Sequence, residues 1–174
     1  GRQLWMTQSK VINPTSSFES ELTGVRSAFG FLRIENASYF ENFHLAIDKA
    51  GDFGSPGSRG CFIYGSEIRN CENSILNTCK FFNAYGNILE GNITSEGMGY
   101  SQWYRNNITA DKAILQSPKL SCRLENNLFN KLNLEFYGTN KLSYSTCNTW
   151  MDASENIAFS GLEGVTLPNS WGGG

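Results

Sequence analysis

The residues best suited to chemistry are acidic side chains in the middle of the chain. Glycoside hydrolysis needs two carboxylates ~5–10 Å apart that face one sugar-binding groove. In a fold of stacked turns, the outer faces of successive turns come together, so Glu72 with Glu90 or Glu96 is the candidate catalytic pair. Solvated, outward-facing charge is the simpler interpretation of each residue. The catalytic residues therefore stay unassigned.

Aromatic side chains give a second signal, for sugar binding. Tyr100, Trp103 and Tyr104 lie in and directly after a glycine-rich segment, 95–101, where a loop would expose them. Sugars stack their apolar C–H faces on aromatic rings while polar side chains bind the hydroxyl groups. The sequence predicts carbohydrate binding by these three residues. The alternative is that they pack the loop or a subunit interface, and Trp5 is expected at an interface or in the core.

Metal, cofactor and nucleic-acid chemistry find no support in the sequence. The chain has one histidine, His44, and no Cys-x-x-Cys pair, so we expect no zinc site. It has no phosphate-cradling loop, and we expect no cofactor. A net charge of −2 supplies no basic face for nucleic acid. No apolar run approaches the ~18 residues of a membrane span.

Cysteine spacing favours structural thiols. Five cysteines are an odd number, so at least one stays unpaired within the chain. Cys61 alternates with Ile63, and Cys122 alternates with Leu124, which are positions of buried strand residues. The sequence predicts free thiols that pack as small apolar side chains.

A short sequence pattern recurs along the chain: an apolar residue, a spacer and then asparagine. The structure that this repeat forms must position the candidate acidic and aromatic residues. The last three asparagines of the pattern lie 20 and then 22 residues apart, and the earlier ones are 34 and 36 apart. A period near ~20–25 indicates stacked β-coils. Asparagine suits left-handed corners and can form hydrogen-bonded ladders between coils. The predicted ladder or corner residues are Asn36, Asn70, Asn106, Asn126 and Asn148.

The intervening sequence is a series of short apolar bursts with a period of two and no sustained helical period. A β-sandwich is the alternative, but Asn-Gly and Asp-Gly hairpin signals never occur. We predict an all-β parallel solenoid. Its predicted parts are a lead-in or N-terminal cap (1–28), a β-helix (29–160) with loop excursions near 48–60 and 95–101, and a C-terminal tail (161–174).

The phrases Ile34-Glu35-Asn36-Ala37, Ile68-Arg69-Asn70-Cys71 and Leu124-Glu125-Asn126-Asn127 carry a family resemblance. They resemble the rungs of right-handed, single-stranded parallel β-helices in bacteriophage tailspikes and pectate-lyase-like enzymes. The resemblance implies a homotrimeric receptor-binding part of a phage tail spike, located on the virion, that recognises bacterial surface polysaccharide. Tailspike helices usually have more coils, so the chain is expected to be a portion of a longer spike.

Two other functions fit the same architecture. One is a polysaccharide-degrading enzyme, either a glycoside hydrolase or a lyase. The other is an extracellular bacterial surface adhesin. Fold alone does not separate binding from catalysis.

Overall fold

The computed structural model describes the following parts of the chain: residues 3–15, 21–27, 30–49, 58–79, 81–96, 100–116, 122–130, 133–137, 142–151 and 158–160.

Every regular element in these residues is a β-strand, and the strands form three seven-stranded sheets. Sheet A contains β1 (Gln3–Thr7), β4 (Gly30–Glu35), β7 (Ser58–Tyr64), β10 (Phe81–Tyr85), β13 (Tyr100–Tyr104), β16 (Cys122–Glu125) and β19 (Leu142–Thr146). Sheet B contains β2 (Lys10–Ile12), β5 (Tyr39–Glu41), β8 (Glu67–Arg69), β11 (Ile88–Glu90), β14 (Asn107–Thr109), β17 (Leu128–Asn130) and β20 (Thr149–Met151). Sheet C contains β3 (Thr23–Arg26), β6 (Leu45–Lys49), β9 (Asn73–Asn77), β12 (Asn92–Glu96), β15 (Lys112–Gln116), β18 (Asn133–Tyr137) and β21 (Ala158–Ser160).

The strand order makes the fold a parallel β-helix. The chain visits sheets A, B and C in turn, and each strand pairs in parallel with the strand three places later in the chain. Seven such coils stack along one axis. Because a sandwich of hairpins would give antiparallel pairs, the solenoid prediction is confirmed and the sandwich is excluded.

Stacking in register fills the interior with columns of like side chains. One column in sheet B has members that are each at most 1% exposed: Phe40, Ile68, Leu89, Ile108 and Phe129. Neighbouring strands lie ~4.8 Å apart, so each apolar side chain packs on the same position of the next coil. The core is therefore continuous along the axis, and strands such as β4 and β10 alternate buried residues with outward-facing ones.

The corner between sheets A and B uses a left-handed residue in every coil. These residues are Gln8 (φ 49°), Ala37 (φ 61°), Gly65 (φ 54°), Gly86 (φ 65°), Arg105 (φ 52°), Asn126 (φ 55°) and Cys147 (φ 54°). Side chains at this corner point away from the core, which places Arg105 and Cys147 on the surface.

A buried asparagine ladder follows this corner in the last four coils. Its members are Asn87, Asn106, Asn127 and Asn148. Each side-chain amide donates to the Oδ1 atom of the next member, at 2.9, 2.9 and 3.0 Å. The Oδ1 atoms of Asn106, Asn127 and Asn148 also accept the backbone N–H of the preceding member. The ladder thus satisfies polar groups that the interior would otherwise leave unpaired.

The five asparagines singled out in the sequence occupy three kinds of position. Asn106 and Asn148 belong to the ladder, whereas Asn36 (φ 56°) and Asn126 (φ 55°) lie at the corner between sheets A and B. Asn70 (φ 46°) lies at the corner between sheets B and C, where its Nδ2 atom donates to Asn42 Oδ1 at 2.7 Å.

The solenoid begins earlier than the sequence indicates. Residues 1–28 were expected as a lead-in or cap, but β1, β2 and β3 form a complete first coil, paired in register with the second. The corresponding residues of these coils lie 22 to 29 positions apart, as in Thr23 with Leu45 and Lys10 with Tyr39. Because the number of residues per coil varies, a search for a fixed sequence period does not detect the first coil.

The predicted loop excursions are too wide. Strand β12 extends to Glu96 and β13 begins at Tyr100, so most of 95–101 is strand. Strand β6 reaches Lys49 and β7 begins at Ser58, which likewise narrows the excursion at 48–60. The remaining parts of both excursions and the tail at 161–174 lie outside the described residues.

Candidate functional site

The outer surface of sheet A carries most of the exposed aromatic side chains. One outward column runs, in register, through Trp5, Arg33, Phe62, Asn83, Gln102 and Arg123. A second runs through Tyr64, Tyr85, Tyr104 and Glu125. A third runs through Gln3, Phe31, Gly60 and Phe81. We call these three columns the aromatic face.

The aromatic face has a pocket at its N-terminal end, the Trp5 pocket. It encloses about 200 Å³ and is lined by Gln3, Leu4, Trp5, Phe31, Arg33 and Phe62. The Trp5 side chain is the most exposed large apolar group in the described residues, at 60%. Phe31 and Phe62 stack with their ring centroids 5.8 Å apart and form the opposite wall. The pocket therefore combines apolar ring surface with the polar ends of Arg33 and Gln3.

Trp5 is exposed but fixed in position by two charged side chains. Its Nε1 atom donates to Glu35 Oε1 at 3.0 Å, and the other oxygen of Glu35 accepts from Arg33 Nε at 2.5 Å. The Arg33 guanidinium lies over the indole, 5.3 Å from the ring centre. Glu35 is buried, at 7% exposure, so the carboxylate that joins the two side chains is shielded from water. The ring needs no reordering to receive a ligand, which lowers the entropic cost of binding.

Arginine and tyrosine side chains continue this pattern toward the C-terminal end. Arg33 also lies over Tyr64, and Arg123 lies over Tyr104 at 5.4 Å. Arg105 lies 5.9 Å from the centre of the Tyr85 ring and donates to the Tyr85 hydroxyl at 3.2 Å. Burial raises the pKa of the Tyr64 hydroxyl, so this group stays a neutral donor and acceptor near neutral pH.

The predicted carbohydrate-binding residues divide between the two sides of sheet A. Tyr104 lies on the aromatic face, and the Tyr100 backbone pairs with Phe81 in its third column. The expectation that Trp103 is exposed is wrong. Its side chain is 0% exposed and packs on Phe82 with ring centroids 4.6 Å apart. Residues 100–104 form a strand, so Trp103 points inward, opposite to its neighbours.

Trp103 also shows how the core admits an indole. Its register partners in the two adjacent coils are Ala84 and Leu124. The small alanine leaves room for the large ring, as interdigitated packing requires. The sequence signal for burial of Trp103 was the small residue Ala84 at the matching position of the preceding coil. That signal can be read only when the register between the two strands is known.

Two of the three candidate catalytic acids share a depression on the far side of the solenoid. This acidic depression encloses about 330 Å³ and is lined by Asn70, Cys71, Glu72, Glu90, Gly91, Asn92, Thr109, Ala110 and Asp111. Glu72 contacts His44 Nδ1 at 2.7 Å, and Glu90 accepts from Arg69 at 2.5 Å. Glu96 ends β12, ~13 Å along the strand from the depression, and so is not part of it.

Sequence reasoning missed most of the aromatic face. It assigned Trp5 to an interface or the core and did not single out Phe62, Tyr64 or Tyr85. The available signal was alternation, because Phe62 and Tyr64 flank Ile63, and Ile63 is fully buried. No sequence pattern marked Arg105 or Arg33 as site residues. Their role depends on contacts with aromatic rings that lie 20 or more residues away in the sequence.

The four thiols whose side chains the structure describes fall into two environments. Cys61, Cys71 and Cys79 are buried and free, whereas Cys147 is free and exposed at a left-handed corner. No three His, Cys, Asp or Glu side chains in the described part of the chain are arranged to hold a metal ion. The same residues contain no helix with the length and apolarity to cross a membrane.

Known proteins provide no family for this chain. No family model, curated protein or solved structure shows significant similarity to it.

Proposed function

We propose that this chain recognises a polysaccharide of the bacterial surface through its aromatic face, as the β-helical receptor-binding part of a trimeric phage tail spike. The observation that carries the proposal is the Trp5 pocket, where an exposed indole is held rigidly by Glu35 and Arg33. The tailspike assignment rests on the resemblance of the asparagine-containing rungs, together with the parallel β-helix.

The chemistry of the pocket suits a sugar ring. Its volume of about 200 Å³ is below the ~300–1,000 Å³ of sites for drug-sized ligands, and it fits one monosaccharide unit. The Trp5, Phe31 and Phe62 rings offer apolar surface to the C–H face of a sugar. Arg33 and Gln3 offer hydrogen-bond donors to its hydroxyl groups.

A rigid sheet is also a suitable support for an extended ligand. Neighbouring strands lie ~4.8 Å apart, so the side chains of Tyr64, Tyr85 and Tyr104 recur at regular intervals along the axis. Aromatic side chains with two side-chain torsions lose little entropy on binding. These features support recognition of a polymer over a small isolated metabolite.

The test is binding of purified bacterial surface polysaccharides, measured by calorimetry and by tryptophan fluorescence. We expect the wild-type chain to bind at least one polymer and Trp5→Ala to weaken that binding about tenfold. Tyr39→Ala is the matched control, because Tyr39 is an aromatic residue on sheet B. Equal affinity of Trp5→Ala and wild type would exclude the Trp5 pocket as the polysaccharide-binding site. Sedimentation equilibrium of the purified chain tests whether it forms a trimer.

Hydrolysis of the polysaccharide is the second candidate function, favoured by the acidic depression. Glu72 and Asp111 directly precede β9 and β15, which lie two coils, or ~10 Å, apart in sheet C. Gly91 directly precedes the intervening strand β12 and lines the depression between them. Inverting glycosidases place their carboxylates ~6.5–9.5 Å apart. Shortening of the polymer by wild type, lost in Glu72→Gln and Asp111→Asn, would establish this activity.

A further inference from the structure

We propose that the polysaccharide bound by the aromatic face is acidic and that the Arg105 guanidinium receives its anionic group. This inference rests on the proposed function and specifies the class of ligand. Three observations support it. Arg105 lacks the carboxylate partner that the other described arginine side chains have, its guanidinium is held by Tyr85, and the surface beside it is open.

Arg105 differs in its partners from the other arginines whose side chains the structure describes. Four described arginines form ion pairs: Arg26 with Asp48, Arg33 with Glu35, Arg69 with Glu67 and Glu90, and Arg123 with Glu125. Within the described parts of the chain, Arg105 contacts no carboxylate, and its side-chain partner is the neutral hydroxyl of Tyr85. Its positive charge is therefore available to a ligand.

The Arg105 guanidinium is held in one place while its charge stays exposed. The residue occupies the left-handed corner between sheets A and B at φ 52°. Stacking on Tyr85 at 5.9 Å and the hydrogen bond to its hydroxyl fix the plane of the guanidinium. The other N–H groups of this planar donor set can bind both oxygens of a carboxylate or phosphate.

The surface beside Arg105 is open on the side toward the Trp5 pocket. The corners of the two preceding coils are Gly86 and Gly65, and a Cβ atom added to either would meet nothing within 4 Å. Glycine suits these corners because of their positive φ, and it also leaves the approach to Arg105 uncovered. A ligand lying along the aromatic face can therefore reach the guanidinium without displacing a side chain.

Arg105 and the Trp5 pocket can serve one extended chain. Arg105 directly follows β13, and Trp5 lies on β1, so four strand spacings, or ~19 Å, separate the two positions along sheet A. A polymer of several sugar units spans this distance. One of its units would occupy the Trp5 pocket, and an anionic group further along would pair with Arg105.

The experiment uses the panel of surface polysaccharides, both acidic and neutral, with affinities measured by calorimetry at low salt. Each acidic polymer that binds is measured again after its carboxyl groups are reduced to alcohols, and separately after its phosphate groups are removed. These two treatments distinguish a uronate-type carboxylate from a phosphate. The variants are Arg105→Gln, Arg105→Lys and, as a matched exposed arginine on sheet C, Arg26→Gln.

We expect the bound polymers to be acidic and Arg105→Gln to weaken their binding about tenfold, as loss of a charged hydrogen bond would. Neutralising the polymer should weaken wild-type binding equally and leave Arg105→Gln unaffected. The affinity of Arg105→Lys for the acidic polymers should lie between those of wild type and Arg105→Gln. The affinity of Arg26→Gln should equal that of wild type. Preference for neutral polymers, or wild-type affinity in Arg105→Gln, would overturn the inference while Trp5→Ala still reports on the proposed function. Absence of binding to every polymer would overturn both.

Discussion

The side-chain amide of Asn106 donates to the Oδ1 atom of Asn127 at 2.9 Å, one coil further along the axis. Both residues are 2% exposed. Asn106 Nδ2 also donates to the Ala84 carbonyl at 3.0 Å, and Asn106 Oδ1 accepts from the Asn87 backbone at 3.1 Å. One side chain thus pairs buried polar groups in three successive coils.

Replacing Asn106 by Leu should therefore destabilise the fold by about 3 kcal/mol or more, because several buried donors and acceptors lose their partner at ~1–3 kcal/mol each. Urea denaturation monitored by circular dichroism measures the change. Asn126→Gly is the control, since this exposed residue only has to adopt a positive φ. Wild-type stability in Asn106→Leu would contradict the role of the ladder.

Lys49 is a buried amine at the C-terminal end of strand β6. Its side chain is 0% exposed, and its Nζ atom has no hydrogen-bond partner among the residues that the structure describes. Since an unsatisfied buried polar group costs ~1–3 kcal/mol, Lys49→Met should stabilise the protein by about that amount. Lys10→Met, at an exposed position on β2, should change the free energy of unfolding by less than ~0.5 kcal/mol. Destabilisation of Lys49→Met would show that the amine has a structural role.

Gly91 lies close to the backbone of the preceding coil. Its φ is 118°, and a Cβ atom added there would overlap the carbonyl oxygen of Cys71. We expect Gly91→Ala to cost more than ~2 kcal/mol, because both the backbone and its neighbour must move. Gly86→Asn is the matched control at a left-handed corner with open space, and it should cost under ~1 kcal/mol. Thermal denaturation of both variants compares the two sites.

Stability should fall as pH rises above ~8.5. Burial raises the pKa of the Cys61 and Cys71 thiols and raises the pKa of Cys79 to about 11. The unfolded chain releases these protons near its usual pKa of ~8.5, so each thiol lowers the free energy of unfolding by up to ~1.4 kcal/mol per pH unit.

Lys49 acts in the opposite direction, because burial lowers its pKa and the unfolded chain then binds the extra proton. Urea titrations at pH 7.5, 8.5 and 9.5 under reducing conditions measure these slopes. Cys79→Ala should reduce the decrease in the free energy of unfolding with rising pH, and Lys49→Met should make that decrease steeper. A pH-independent stability of the Lys49→Met variant across this range, where the opposing contribution is removed, would contradict burial of the thiols.

Replacing Trp103 by Ala should unfold the protein or weaken it by ~3–5 kcal/mol, since the indole is fully buried against Phe82. Trp5→Ala should change stability by less than ~1 kcal/mol, because the Trp5 indole is mostly exposed. Calorimetry separates the two effects. Intact stability with loss of sugar binding in Trp103→Ala would place this ring on the surface instead.

The coil architecture follows from the sequence because it depends on local requirements. A left-handed corner favours Gly or Asn, and a buried ladder requires an amide in each coil, so Asn106, Asn127 and Asn148 recur at nearly constant spacing. The absence of hairpin dipeptides was likewise a local signal, and it correctly indicated parallel coils.

The aromatic face was decided by tertiary structure. A shift of one residue in strand register exchanges the buried and exposed sides, so the sequence did not distinguish buried Trp103 from exposed Trp5. The bridge from Trp5 through Glu35 to Arg33 joins two coils whose strands are 28 residues apart in register, as in Trp5 with Arg33. Local pattern determines that coils form, whereas the lengths of their connections determine which side chains meet on the surface.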